Sequence, residues 1–167
     1  MKIDWDITQS DIEKILAFSK LFESEEFVKQ RIRDNVESPA PEISREIMWE
    51  GIFDCLLSSQ QKSGPESHIA HFLHIKPFPL SVNACLNEKS PQNFIRQRLE
   101  NHGGIRFKNN VAKYAAYNLN WLEDGGWNEL EKVLLPLIQQ RKKNPEPPHQ
   151  KYEREVAHKL RDIFKGI

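Results

Sequence analysis

The chain has 167 residues, with 24 Lys plus Arg against 24 Asp plus Glu, six His and two Cys. A chain of this length buries roughly 70% of its extended surface, so a core forms without a disulfide or metal staple. No stretch approaches the ~20 apolar residues of a membrane span, and MKIDWDIT opens on acids where a signal peptide would carry a basic and then an apolar stretch.

Those features predict a soluble, cytoplasmic protein with no membrane partner. Cys55 and Cys85 lie far apart and outside any C-x-x-C pair, which predicts two small buried apolar side chains in a reducing compartment. The zero net charge conceals an uneven distribution. Residues 1–50 hold 7 basic and 12 acidic residues, residues 51–100 hold 5 and 4, and residues 101–167 hold 12 and 8. Binding to a polyanion follows the local field and not the total, so the basic rear keeps nucleic acid open as a partner.

The apolar spacing is helical from end to end. Ser10 and Glu13 have capping-box spacing, followed by Ile12, Ile15, Leu16, Phe22 and Phe27, which predicts one or two acidic helices over about 10–36. The two prolines of SPAPE, residues 38–42, interrupt them. From Ser44, SREIMWEGIFDCLLSS places Ile47, Met48, Gly51, Ile52, Cys55 and Leu56 on one face, with Trp49 and Phe53 widening it, and reads as a central helix. A polar turn at 60–64 follows, then a helix from about Pro65 to Leu73. Ser90-Pro91 starts another, with Phe94, Ile95 and Leu99 inward and Gly103-Gly104 at its end. Asn109 and Asn110 are expected to cap the next, which carries Val111, Tyr114, Ala115, Leu119 and Leu122 and stops at Gly125-Gly126. Trp127 to Ile138 continues the pattern, with Pro136 expected to kink or divide it. A basic, proline-rich connector covers 141–150, and a last helix carries Tyr152, Val156, Leu160, Ile163 and Phe164. No alternating strand, repeat or low-complexity tract is present, so the expected fold is an all-α multi-helix bundle. Its expected divisions are an acidic segment 1–43, a helical core 44–150 and a final helix and turn 151–167.

Chemistry is sparse. His68, His71 and His74 recur at three-residue steps, yet without a carboxylate in a zinc-protease pattern, and a half-exposed helix flank accounts for them better than a metal site. Neither glycine pair follows a strand or precedes Lys-Ser/Thr, and G-x-S-x-G is absent. No catalytic residue, metal or cofactor is expected from motifs. The turn LLSSQQKSGPES is more informative, because it sets two amides, a lysine and several hydroxyls where an apolar helix meets solvent.

LLSSQQKS at 56–63, behind MWEGIFDC, resembles the helix and turn that open the core of helix-hairpin-helix DNA glycosylases. GGIRFKNNVAKYAAYNLNWL at 103–122 is similar to their Gly-containing turn and basic, aromatic-bearing helix, and LRDIFKGI at 160–167 to the first helix and opening glycine of the hairpin. The resemblance spans about 45–167 and is nearest to the 8-oxoguanine glycosylase/lyases. It implies base-excision repair of an oxidised purine, with double-stranded DNA carrying a damaged base as partner and a nucleoid setting. It implies that Gln60 fills the gap left by a flipped base, with Gln61 beside it, since an amide both donates and accepts. It further implies phosphate contacts from Arg106, Lys108 and Lys113, and from Arg141, Lys142 and Lys143, with Lys165 and Gly166 at the hairpin.

The departure from the family lies at the hairpin. Its second glycine, Schiff-base lysine and catalytic aspartate have no counterpart through Ile167, and Lys165 precedes the turn, so no residue here is assigned the amine or the carboxylate. The expectation is a non-catalytic, lesion-facing portion, with helix faces left for self-association or for a complementary C-terminal half. Two other readings of the same residues are a non-enzymatic DNA-binding module and a helical protein-interaction domain.

Overall fold

The computed structural model describes residues 7–33, 43–59, 61–62, 64–143 and 150–167. All regular structure among them is helical, as the spacing predicts. The elements are α1 (Gln9–Lys20), α2 (Glu26–Ile32), α3 (Arg45–Ser58), α4 (His68–Leu73), α5 (Val82–Leu86), α6 (Pro91–His102), α7 (Lys108–Trp121), α8 (Trp127–Lys143) and α9 (Gln150–Ile163). Leu122–Gly126 is a widened turn between α7 and α8 in which Asp124 and Gly125 leave helical geometry.

Helix α3 is the axis of the bundle, because its apolar residues extend well round its circumference. Trp49, Ile52, Phe53, Leu56 and Leu57 are buried, and α4, α5 and α7 pack against it. Trp49 is anchored by more than area: its indole N–H donates to the Leu80 carbonyl at 2.7 Å. Its ring meets Phe53 edge-on at 5.0 Å. An indole buried without such an acceptor would lose part of what its apolar surface contributes. Helices α6 and α7 lie together, closing over Ile95 and Leu99 on one side and Ala112, Ala115 and Leu119 on the other. Helix α9 packs on α8, and its end returns to the core through Phe164, whose ring meets Trp121 edge-on at 5.6 Å. One hydrophobic cluster therefore runs from Trp49 to Phe164.

Several local features differ from those the sequence suggests. The first capping box is Thr8 with Asp11, not Ser10 with Glu13, and α1 starts accordingly at Gln9. Ser67, not the residue before Pro65, caps α4. Five residues, VNACL, form α5, which is too short to show periodicity. Helix α8 runs unbroken through Pro136, which sits at an exposed position where water can take the carbonyl left without a donor. Cys85 is buried as expected, but Cys55 is exposed. The stripe of α1 is also exposed: no residue of that helix is buried. The connector at 144–149 lies outside the described residues.

Candidate nucleic-acid interface

The turn before α7 brings distant parts of the chain together. Gly104 has φ +69°, and a Cβ there would strike the ring of His68, so this backbone and this packing both require glycine. Arg106 follows, and its backbone N–H donates to Oε1 of Gln61 at 2.9 Å. The amide of Gln61 thus ties the polar turn after α3 to the turn before α7. Its Nε2 is shielded from solvent and has no hydrogen-bond partner among the described residues.

Phe107 comes next, and it is the unusual residue of this region. It is the N-cap of α7, in left-handed backbone at φ 55°, ψ 20°, with no side-chain hydrogen bond closing the helix end. The expected asparagine cap is displaced: Asn109 and Asn110 both lie inside the helix. A bulky residue at positive φ is an outlier, costing about 1–2 kcal/mol. Nor does burial offset that cost fully, because Phe107 remains 42% exposed. Its ring carries the Arg106 guanidinium at 5.0 Å from the centroid.

Phe107 stands at one wall of a cleft of about 420 Å³, whose other walls include Leu56, Ser59, Asn110, Tyr114 and Gly166. Along α7 the exposed positions Asn110, Lys113 and Tyr117 recur at three and four residues and share one face. The Lys165 ammonium lies 5.9 Å from the centre of the Tyr117 ring, a cation–π arrangement.

Lys165 and Gly166 are held there by a residue outside those singled out by motif or resemblance. Asn118 is a buried polar residue in the apolar face of α7. Its Oδ1 accepts from the Lys165 backbone N–H at 2.9 Å, and its Nδ2 donates to the Lys165 carbonyl at 3.1 Å. One amide therefore satisfies both backbone groups of the turn that ends α9. Gly166 has φ +83°, and a Cβ on it would come within 2.5 Å of the Tyr114 ring. A polar side chain among Val111, Ala115 and Leu119 was the only signal in the sequence.

Of the residues singled out by resemblance, Gly166 lines this cleft; Arg106 stacks on its Phe107 wall, Lys113 is exposed on α7, and Lys165 meets Tyr117 on the same helix. Gln61 serves as a tie and does not project outward. Lys108 is drawn aside to Glu100 at 3.5 Å, and the same carboxylate receives Arg96 at 2.7 Å. Gln60 lies outside the described residues, as do the side chains of Arg141, Lys142 and Lys143.

Two histidine rings lie against backbone carbonyls. His74 places Nδ1 2.6 Å from the Ala70 carbonyl, and His102 places Nε2 3.0 Å from the His68 carbonyl. Among the described residues no group of three or more His, Cys, Asp or Glu side chains is placed to hold a metal ion. No helix among them is long and apolar enough to cross a membrane. Comparison with protein families, with curated proteins and with solved structures gives no match.

Proposed function

We propose that this chain binds duplex DNA through the cleft and the exposed face of α7, as the lesion-facing portion of a helix-hairpin-helix base-excision glycosylase for oxidised purine. The observation that carries the reading is Phe107: a strained, solvent-exposed aromatic, stacked with Arg106 at the start of the helix that also presents Lys113 and, through Tyr117, Lys165. Strain of this kind persists only where surrounding structure enforces it, and it concentrates at functional positions. An aromatic face offers a base a stacking surface worth about 1–3 kcal/mol, and the flanking cations supply sequence-independent attraction to phosphates. The resemblance of 56–63, 103–122 and 160–167 to the glycosylase pattern supports the same face, since those three segments meet at the cleft.

The proposed role of these residues is binding and not bond cleavage, because none of them matches the family's amine nucleophile or its carboxylate. Borohydride trapping of the chain on an 8-oxoguanine duplex is expected to give no covalent adduct.

The deciding experiment is fluorescence anisotropy on duplexes with and without 8-oxoguanine, across a salt series. Binding should weaken steeply with salt, and Phe107→Ala should weaken it about 10–100-fold, the stacking range. Lys113→Ala should lower affinity similarly for both duplexes and reduce the salt slope by about 0.9. DNA affinity indifferent to Phe107→Ala would overturn the assignment of this face. Equal affinity for damaged and intact duplex would favour a DNA-binding module without lesion recognition.

A further inference from the structure

Helix α1 carries a wide apolar face, and none of its residues is buried by the rest of the chain. Ile12, Ile15, Leu16 and Phe18 lie on that face, Phe22 extends it into the following turn, and all five are 42–64% exposed. The charges of the helix balance, Asp11 and Glu13 against Lys14 and Lys20. Lys14 reaches Asp11 at 3.9 Å, whereas Glu13 and Lys20 have no ion-pair partner among the described residues. Leu16 comes three residues after Glu13 and four before Lys20, so an acid and a base two turns apart border one edge of the apolar face.

We infer that α1 pairs with α1 of a second copy, antiparallel, about a two-fold axis passing between positions 16 and 17. An edge with an acid toward its start and a base toward its end is complementary to itself reversed. In this register Glu13 of each copy lies beside Lys20 of the other, and Ile15 lies opposite Phe18. A parallel pair would instead set Glu13 level with Glu13 and Lys20 level with Lys20, with both helix dipoles pointing the same way. A two-fold contact uses the same patch on both copies and closes at two, so no further surface is needed. Covering the five apolar side chains on both copies removes on the order of 1,000 Å² from water. That area reaches the lower end of specific interfaces, so the dimer is weak and its population follows concentration. The inference is independent of the DNA-binding proposal, whose residues lie outside α1.

Sedimentation of the full chain over a concentration series should show a reversible dimer that Ile15→Glu with Phe18→Glu converts to monomer. Both positions are exposed and outside the core cluster, so the variant keeps its fold. Glu13→Lys alone should weaken association about 3–30-fold, since it turns two attractive pairs into repulsive ones, and adding Lys20→Glu should restore it. Cross-linking reads the direction of the pair. With the exposed Cys55 replaced by Ser and Cys85 buried, Leu16→Cys treated with diamide should give a disulfide-linked species of twice 19.6 kDa. Ile12→Cys should not, because the antiparallel register holds the two Ile12 positions about 13.5 Å apart along the axis, beyond the reach of a disulfide. A chain monomeric up to about 1 mM, a dimer indifferent to Glu13→Lys, or equal cross-linking through Ile12→Cys would each overturn the inference.

Discussion

At the scale of single residues, Phe107 combines a conformational cost with an exposed aromatic ring, and the two can be separated. Phe107→Gly and Phe107→Ala remove the ring equally, but only glycine accepts φ 55° without strain. Both variants should lose the same DNA affinity, while the glycine variant should be more stable than the alanine variant by about 1 kcal/mol in chemical denaturation. Equal stabilities would mean the left-handed backbone stores nothing. Cys85 provides a second residue-scale expectation. Burial, with smaller contributions from Glu46 and Glu88, pushes its thiol up from 9.0 to about 12. The unfolded thiol ionises first, so the stabilisation is complete below about pH 9 and is lost as pH rises from there toward 12. Cys85→Ala should flatten that part of the stability profile, and a thiol reagent at neutral pH should label the exposed Cys55 while Cys85 reacts only on unfolding.

Elements are held to one another by a few specific contacts, and the joint between α7 and the turn after α9 rests on Asn118. Asn118→Leu keeps the volume and deletes both amide bonds, leaving the Lys165 N–H and carbonyl without their partner. The expected cost is about 1–3 kcal/mol, with the largest gain in amide exchange at residues 164–167, because that turn is released first. This joint was hidden in the sequence, where an asparagine at an apolar position reads as a break in the stripe. Helices α6 and α7 were legible because Ile95 and Leu99, and Val111, Ala115 and Leu119, keep four-residue spacing, and α3 because of its long apolar stretch behind the Ser44 cap. Helix α5 was not, since five residues show no period, and neither was the left-handed Phe107, because nothing in Ile-Arg-Phe-Lys announces a backbone conformation that glycine usually supplies. The candidate cleft was half legible: its segments are visible as polar and basic turns, but their meeting depends on the Gln61 tie to Arg106 across 45 residues.

For the whole molecule, neutrality is the sum of two unlike parts. Residues 1–43 contain ten Asp or Glu and six Lys or Arg, which leaves residues 44–167 with four more cations than anions. Among the described side chains, the hydrophobic cluster draws on residues from Trp49 onward, with none from α1 or α2. Removing residues 1–43 should therefore leave the thermal midpoint within a few degrees of the full chain, since little buried apolar surface is lost. The same removal should raise DNA affinity, because an acidic segment that repels phosphates is gone while Arg106, Lys113 and Lys165 stay in place. Screening sets the size of that gain. The Debye length is about 30 Å at 0.01 M salt and about 3 Å at 1 M, so the difference between full and shortened chains should be several-fold at the lower concentration and vanish at the higher. A gain that survives at high salt would mean that residues 1–43 cover the cleft by contact and not by charge. A fall in affinity on removal would place part of the DNA-binding surface in the acidic segment itself, against the polarity on which the assignment of the α7 face depends.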